Sequence, residues 1–278
     1  HRDLHSFPTR RSSDLEDESA TSGDDGSAYA GSIGNKVHSN LVVNCASGIL
    51  FNAQHADATF NEMKIFNNTL IDNGRSSDNG ANLKAFDITP GSDSNVKNNI
   101  SWITASPLTG SYAQHAAVPT HAGTTFSYNL FTGDSGVVDT DAQSSTDPGY
   151  PTYPDLTIGN YLAKSTGWNT ITQGSLSFDD IALQSTASSA IDQGGWLTTI
   201  TTASGSGTTF AVASQYFTQG DEIQIQNDTS SVTVVSISGL SVTVDASVSW
   251  TQGEGVALAY SGAGPDIGAS EYTTTPST

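Results

Sequence analysis

The fold is decided by FNNTLIDNG, residues 66–74. A paired asparagine is followed by Thr-Leu-Ile and then by an Asn-Gly turn. Similar phrases occur on either side: HSNLVVN (38–44), KNNISWI (97–103) and SYNLF (127–131). Aligning Asn40, Asn68, Asn99 and Asn129 gives intervals of 28, 31 and 30 residues. A period of this size is the mark of stacked supersecondary units. The units are not helical. Short runs such as KVHSNLVV, GILF, EMKIF, LKAFDI and VKNNISWI are bounded by Asn, Asp or Gly, and long 3.6-residue periodicity with caps is absent. Three short strands per unit are expected, with asparagine at corners, because Asn tolerates the left-handed backbone. Asparagine amides stacked on successive units can also bond to one another. Val37, Leu41 and Val43, or Ile49 and Phe51, are the expected inward positions.

These phrases resemble the right-handed parallel β-helix proteins of the pectate-lyase-like superfamily, over roughly residues 35–195. A second resemblance to that group lies in DPGY (147–150), SFDDIALQSTASSAIDQG (177–194) and PDIGASEY (265–272), similar to a terminal coil, with Ser189 where proline is usual. Asp192, Asp266 and Glu271 are read as turn and cap residues. The expected fold class is all-β: a right-handed parallel β-helix over 16–196 with a small antiparallel β-barrel or sandwich over 197–262. The inserted segment alternates polar and apolar residues at period two in about five strands, and GSGTT (205–209) within it reads as a turn. It is expected to seal the solenoid end, where open strand edges invite aggregation. Residues 263–278 are read as a terminal cap strand and a Thr/Pro linker, after which a further domain or anchor is expected.

Residues 1–15, HRDLHSFPTRRSSDL, differ in character from the rest. Their back-translation resembles a sequencing adapter, and they are excluded from the fold as a translated scar. The β-helix is therefore expected to be truncated at its N-terminus. The chain carries 9 Lys and Arg against 28 Asp and Glu, for a formal net charge of −19. Such a surface argues against nucleic acid and anionic membranes as partners, since binding either takes a positive surface. It is compatible with polysaccharide and with calcium, which prefers oxygen ligands. A single cysteine, Cys45, excludes an intrachain disulfide and a cysteine metal cluster, and is read as a small buried side chain. No segment approaches the length of a membrane span.

The resemblance implies secretion or a bacterial cell-surface location. It also implies cleavage of uronate-containing glycans by β-elimination, which needs a base and a neutralised carboxylate, often through calcium. The candidate catalytic residues are Lys84, Arg75, Lys36 and His38. Lys36 and His38 share a strand face if Val37 points inward; Lys84 and Asp87 lie in LKAFDI; Arg75 follows the turn at Asn73–Gly74. Candidate calcium ligands are Asp24, Asp25 and Asp87, although the lysine that follows an acidic GDDG-like phrase in one pectate lyase family is lacking here. The long loop 105–123 carries His115 and His121, and Trp102, Tyr112 and His115 are candidate substrate contacts. Two other functions fit the same residues. One is a non-catalytic adhesive or glycan-binding β-helix; the other is a surface spike, for which trimerisation would speak.

Overall fold

The structure, a computed structural model, describes residues 32–43, 45, 48–52, 60–71, 73, 84–89, 91–102, 114–117, 125–132, 158–164, 166–168, 175–187 and 189–273. It is all-β with very little helix. Fourteen short strands form four parallel ladders, visited in the same order on each pass of the chain. The first ladder holds β1 (Ser32–Ile33), β5 (Phe60–Asn61) and β9 (Gly91–Ser92). The second holds β2 (Lys36–His38), β6 (Lys64–Phe66), β10 (Asn95–Lys97) and β13 (Thr125–Ser127). The third holds β3 (Leu41–Val43), β7 (Thr69–Ile71), β11 (Ile100–Trp102) and β14 (Leu130–Thr132). The fourth holds β4 (Ile49–Asn52), β8 (Lys84–Thr89) and β12 (Gln114–Ala117). Each full pass thus has four strands, not three. The extra one arises because runs such as KVHSNLVV bend in the middle. β12 also places a strand inside the segment expected to be a loop.

The bends have a simple cause. One left-handed residue separates the first ladder from the second, at Gly34, Glu62 and Asp93, and another separates the second from the third, at Ser39, Asn67, Asn98 and Tyr128. For a residue with a Cβ this conformation costs about 1–2 kcal/mol. The next residue offsets it. Nδ2 of Asn40 donates to Oδ1 of Asn68 at 3.0 Å, Asn68 to Asn99 at 2.9 Å and Asn99 to Asn129 at 2.9 Å. The same oxygens accept the backbone N–H of the preceding asparagine in the stack. The amide ladder foreseen from the repeat therefore exists, but the corner residue is the one before it. A similar corner follows the third ladder, where Asn73 accepts from the N–H of Cys45 and donates to Val42 O. Cys45 itself is only half-buried.

Three-residue strands alternate their side chains, so the middle residue faces opposite to its neighbours. In the second ladder the middle row is Val37, Ile65, Val96 and Phe126 in register, with Ile65 and Val96 fully buried. The flanking rows face the C-terminal half of the chain. On the third ladder Ile71, Ile100, Trp102 and Leu130 pack with Ile158, Tyr161, Leu162, Trp168, Ile181, Leu183 and Ile267. That segment has one helical turn (Ile158–Tyr161), a 3-10 turn (Phe178–Ile181) and a bridge between Leu162 and Leu183.

The remaining strands form one six-stranded antiparallel sheet: β15 (Thr198–Thr199), β16 (Gly205–Ala211), β17 (Glu222–Ile225), β18 (Val232–Ser238), β19 (Ser241–Trp250) and β20 (Gly255–Leu258), in the order β15-β20-β17-β18-β19-β16. A bridge between Ile200 and Val212 links the two ends of this order, so the sheet curls into a half-barrel. GSGTT is strand rather than turn, with a register shift at Gly207–Thr209 where Gly207 (φ 154°) lies against Trp250. The half-barrel core of Phe210, Val212, Phe217, Ile223, Val244 and Val256 includes Phe66 from β6. The sheet thus sits on the flank of the second ladder, not over the end of the stack: its contacts run from β2 through β6 to β10. Residues 263–273 form no strand. They lie along the corner between the second and third ladders, where Gly268 N–H donates to Asn98 O and Ala269 N–H to Thr69 Oγ1.

Candidate functional site

The strongest concentration of shifted titratable groups lies in the seam between the second ladder and the half-barrel. Register places Lys36 beside Lys64 and His38 beside Phe66. On the other side are Tyr216, Phe217 and Asp221, in the segment that leads from β16 to β17. Lys36 Nζ donates to Phe217 O. The His38 ring stacks on Phe66 with centroids 4.6 Å apart and planes 10° from parallel, and Phe66 meets Tyr216 edge-on at 5.3 Å. Lys64 Nζ lies 5.3 Å from the centre of the Tyr216 ring. One pass further on, Lys97 Nζ donates to Trp196 O at 2.6 Å and sits 5.2 Å over Tyr128.

Burial governs the electrostatics. Desolvation lowers the pKa of Lys36, only partly countered by Asp221, and that of Lys64, partly countered by Glu62 and Asp93. It lowers His38 below its ordinary value, again against the pull of Asp221. Tyr216 is pushed up to about 12 by burial. Such clustering of displaced pKa values marks functional sites and structural networks alike. Here each base already faces a protein group: a carbonyl for Lys36, another for Lys97, an aromatic face for Lys64 and a stacked ring for His38. A lysine held on a carbonyl in this way orients one element on another.

A second cluster closes the half-barrel at its base, where the chain leaves the ladders and returns. Asp192 Oδ1 accepts from the N–H groups of Ala263 and Gly264 at 2.7 and 3.1 Å. Asp266 accepts from Asp192 N–H at 2.7 Å and from Tyr272 N–H. Glu271 accepts from Asp266 N–H at 3.1 Å and Ser261 N–H at 3.3 Å. Burial raises Asp266 to about 6 and, with the charge of Asp266 beside it, Glu271 to about 8. These carboxylates act as turn and cap residues, as the terminal phrase suggests.

The sequence candidates fall as follows. Lys36 and His38 come together in the seam. Trp102 is a correction: it is 4 % exposed and packed against Tyr161 at 5.3 Å, so its indole offers no face to a sugar. Lys84 and Asp87 lie on β8, with Lys84 in register with Gln114 and Asp87 with Leu50 and Ala117. His115 lies on β12. Arg75, Tyr112, His121, Asp24 and Asp25 fall outside the described residues. Lys64, Tyr216 and Asp221 were missed. Lys64 has the signal, since it aligns with Lys36 in the repeat, but nothing local ties residues 216–221 to that strand. Among the described residues no three His, Cys, Asp or Glu side chains are arranged to hold a metal ion, and no helix is long and apolar enough to cross a membrane. No family model, curated protein or solved structure matches the chain.

Proposed function

We propose that this chain is a secreted or cell-surface glycan-binding protein without catalytic activity, built on coils of a right-handed parallel β-helix of the pectate-lyase-like kind. Parallel strands joined by crossovers are right-handed in nearly all known cases, which supports the handedness. The observation that carries the non-catalytic reading is the occupation of the bases. Lys36, Lys64 and Lys97 are partly buried and engaged by groups of the C-terminal half, and His38 is stacked on Phe66 of β6. The acidic surface, at −19, supports a polysaccharide over a nucleic acid as partner.

The lyase reading keeps one specific support: Lys84 and Asp87 share β8 in the fourth ladder, while the contacts with the C-terminal half described above fall on the second and third. In that reading Asp24, Asp25 or Asp87 would hold calcium. One experiment separates the two. The protein is offered pectate, alginate and neutral glucans with calcium, and both gel retardation and ultraviolet absorbance of unsaturated products are followed. Retardation without product is expected. Product formation abolished by Lys84→Ala would establish the lyase in its place.

A further inference from the structure

The base of the half-barrel presents a pair of aromatic side chains that the ladders do not use. Trp196 and Tyr260 are each partly exposed, with ring centroids 5.3 Å apart and planes at 66°. Trp196 lies against the bare backbone of Gly255 on β20. A Cβ at that position would fall 2.1–2.6 Å from three atoms of the indole, so only glycine lets the ring lie there. Gly255 is fixed in turn by β15, through register with Thr199, and by Gln226, whose Oε1 accepts its N–H at 3.0 Å. Trp168 and Trp250 donate their indole N–H to the Lys164 and Ala203 carbonyls. The Trp196 indole N–H finds no acceptor among the described residues. Tyr260 reaches Ile225 O only at 3.5 Å, and its backbone N–H donates to Gln224 Oε1 at 3.3 Å. A rigid, partly wet aromatic pair with a free donor and amide side chains at its edge has the chemistry that recognises the apolar face and hydroxyl rim of a sugar ring.

Gln224 bridges the pair to the Asp228 segment, its Nε2 donating to Asp228 O at 2.7 Å and its Oε1 accepting from Tyr260 N–H; burial raises the Tyr260 hydroxyl pKa, and the charges of Asp228 and Glu271 add to it. The Lys97 ammonium beside Trp196 is held by the Trp196 carbonyl and lies over the Tyr128 ring. A uronate carboxylate brought here would meet the like charge of Asp228, while the Lys97 ammonium is already held by a carbonyl and an aromatic ring.

We propose that Trp196 and Tyr260, seated on Gly255, form the sugar-stacking site of this protein, and that it takes uncharged polysaccharide in preference to uronate-rich chains. The proposal rests on the glycan-binding reading above and sharpens its ligand class. The test is affinity gel electrophoresis of the full chain in neutral glucan, galactan and xylan and in polygalacturonate, with Trp196→Ala, Tyr260→Ala and Gly255→Ala, each checked by circular dichroism. Trp196→Ala keeps the carbonyl that holds Lys97, so the seam persists. Retardation is expected in at least one neutral glycan and not in polygalacturonate. Each variant should weaken it about tenfold, the equivalent of one lost aromatic contact. Folded Trp196→Ala and Tyr260→Ala proteins that bind as well as wild type would overturn the site while leaving glycan binding intact. Preference for polygalacturonate would overturn the ligand class. If wild type binds no glycan, both this site and the broader reading fall.

Discussion

Replacing Asn99 with alanine tests the reasoning about the stack most directly. Its Oδ1 accepts two bonds from Asn68, from the backbone N–H at 3.0 Å and from Nδ2 at 2.9 Å. Its Nδ2 donates to Asn129 Oδ1 at 2.9 Å and to Ile65 O and Lys97 O at 3.0 Å each. Asn99 is fully buried. Alanine therefore leaves the Asn68 N–H and the Ile65 carbonyl without this partner, in a place water does not reach. At roughly 1–3 kcal/mol for each of these two buried groups left unsatisfied, the loss is about 2–6 kcal/mol. Asn40 makes the same kind of bond to Asn68 but is exposed, so water replaces what Asn40→Ala removes and the loss stays below about 1 kcal/mol. Asn99→Asp keeps the shape but turns a donor toward Asn129 Oδ1 into an acceptor. It should be at least as damaging as alanine at neutral pH and partly recover in acid, where the carboxyl regains a proton. Urea unfolding followed by circular dichroism, with stability taken at constant slope, measures all three. Equal, small effects at positions 40 and 99 would show that the amides decorate the corners and do not hold them.

Phe66→Ala removes the side chain shared by β6 and the half-barrel core and should cost about 3–5 kcal/mol; limited proteolysis should then release the half-barrel before the ladders. Gly195→Val should uncouple the same seam, because a Cβ there would lie 2.4 Å from the Tyr128 ring and 2.8 Å from Lys97; unchanged thermal unfolding would count against the close approach. The pH dependence has two limbs. Asp266 and Glu271 have pKa values raised by folding, so the stability they contribute is complete below their ordinary values and is lost as pH rises through about 6 and about 8, respectively. His38 has a lowered pKa, so its contribution is present above its ordinary value and is lost as pH falls through the folded one. Glu271→Gln should flatten the alkaline limb and leave the acid limb in place, as chemical unfolding across pH would report.

The repeat was legible because it is built from local chemistry. Spacing identified Asn40, Asn68, Asn99 and Asn129 as equivalent, and amide stacking follows from equivalence. The left-handed corners were placed one residue late, since Ser39 and Tyr128 carry no compositional mark of that conformation. The alternation in β16–β20 showed an antiparallel sheet, but its position did not follow from pattern. Docking on the flank depends on Phe66, Lys36 and Lys97 meeting residues more than a hundred or nearly a hundred positions away, and such meetings leave no periodic trace. The aromatic pair was hidden for the same reason: Trp196 and Tyr260 bracket the whole half-barrel and look isolated along the chain.

The half-barrel leaves and rejoins the chain at almost one point, where Gly194 N–H donates to Pro265 O at 2.8 Å. Tension applied along the polypeptide is therefore shunted across that crossing and its carboxylate-bound turns, and the six strands beyond it hang outside the load path like a bead on a knotted cord. A pull on the two ends of the chain would strain the parallel ladders while the half-barrel stayed slack.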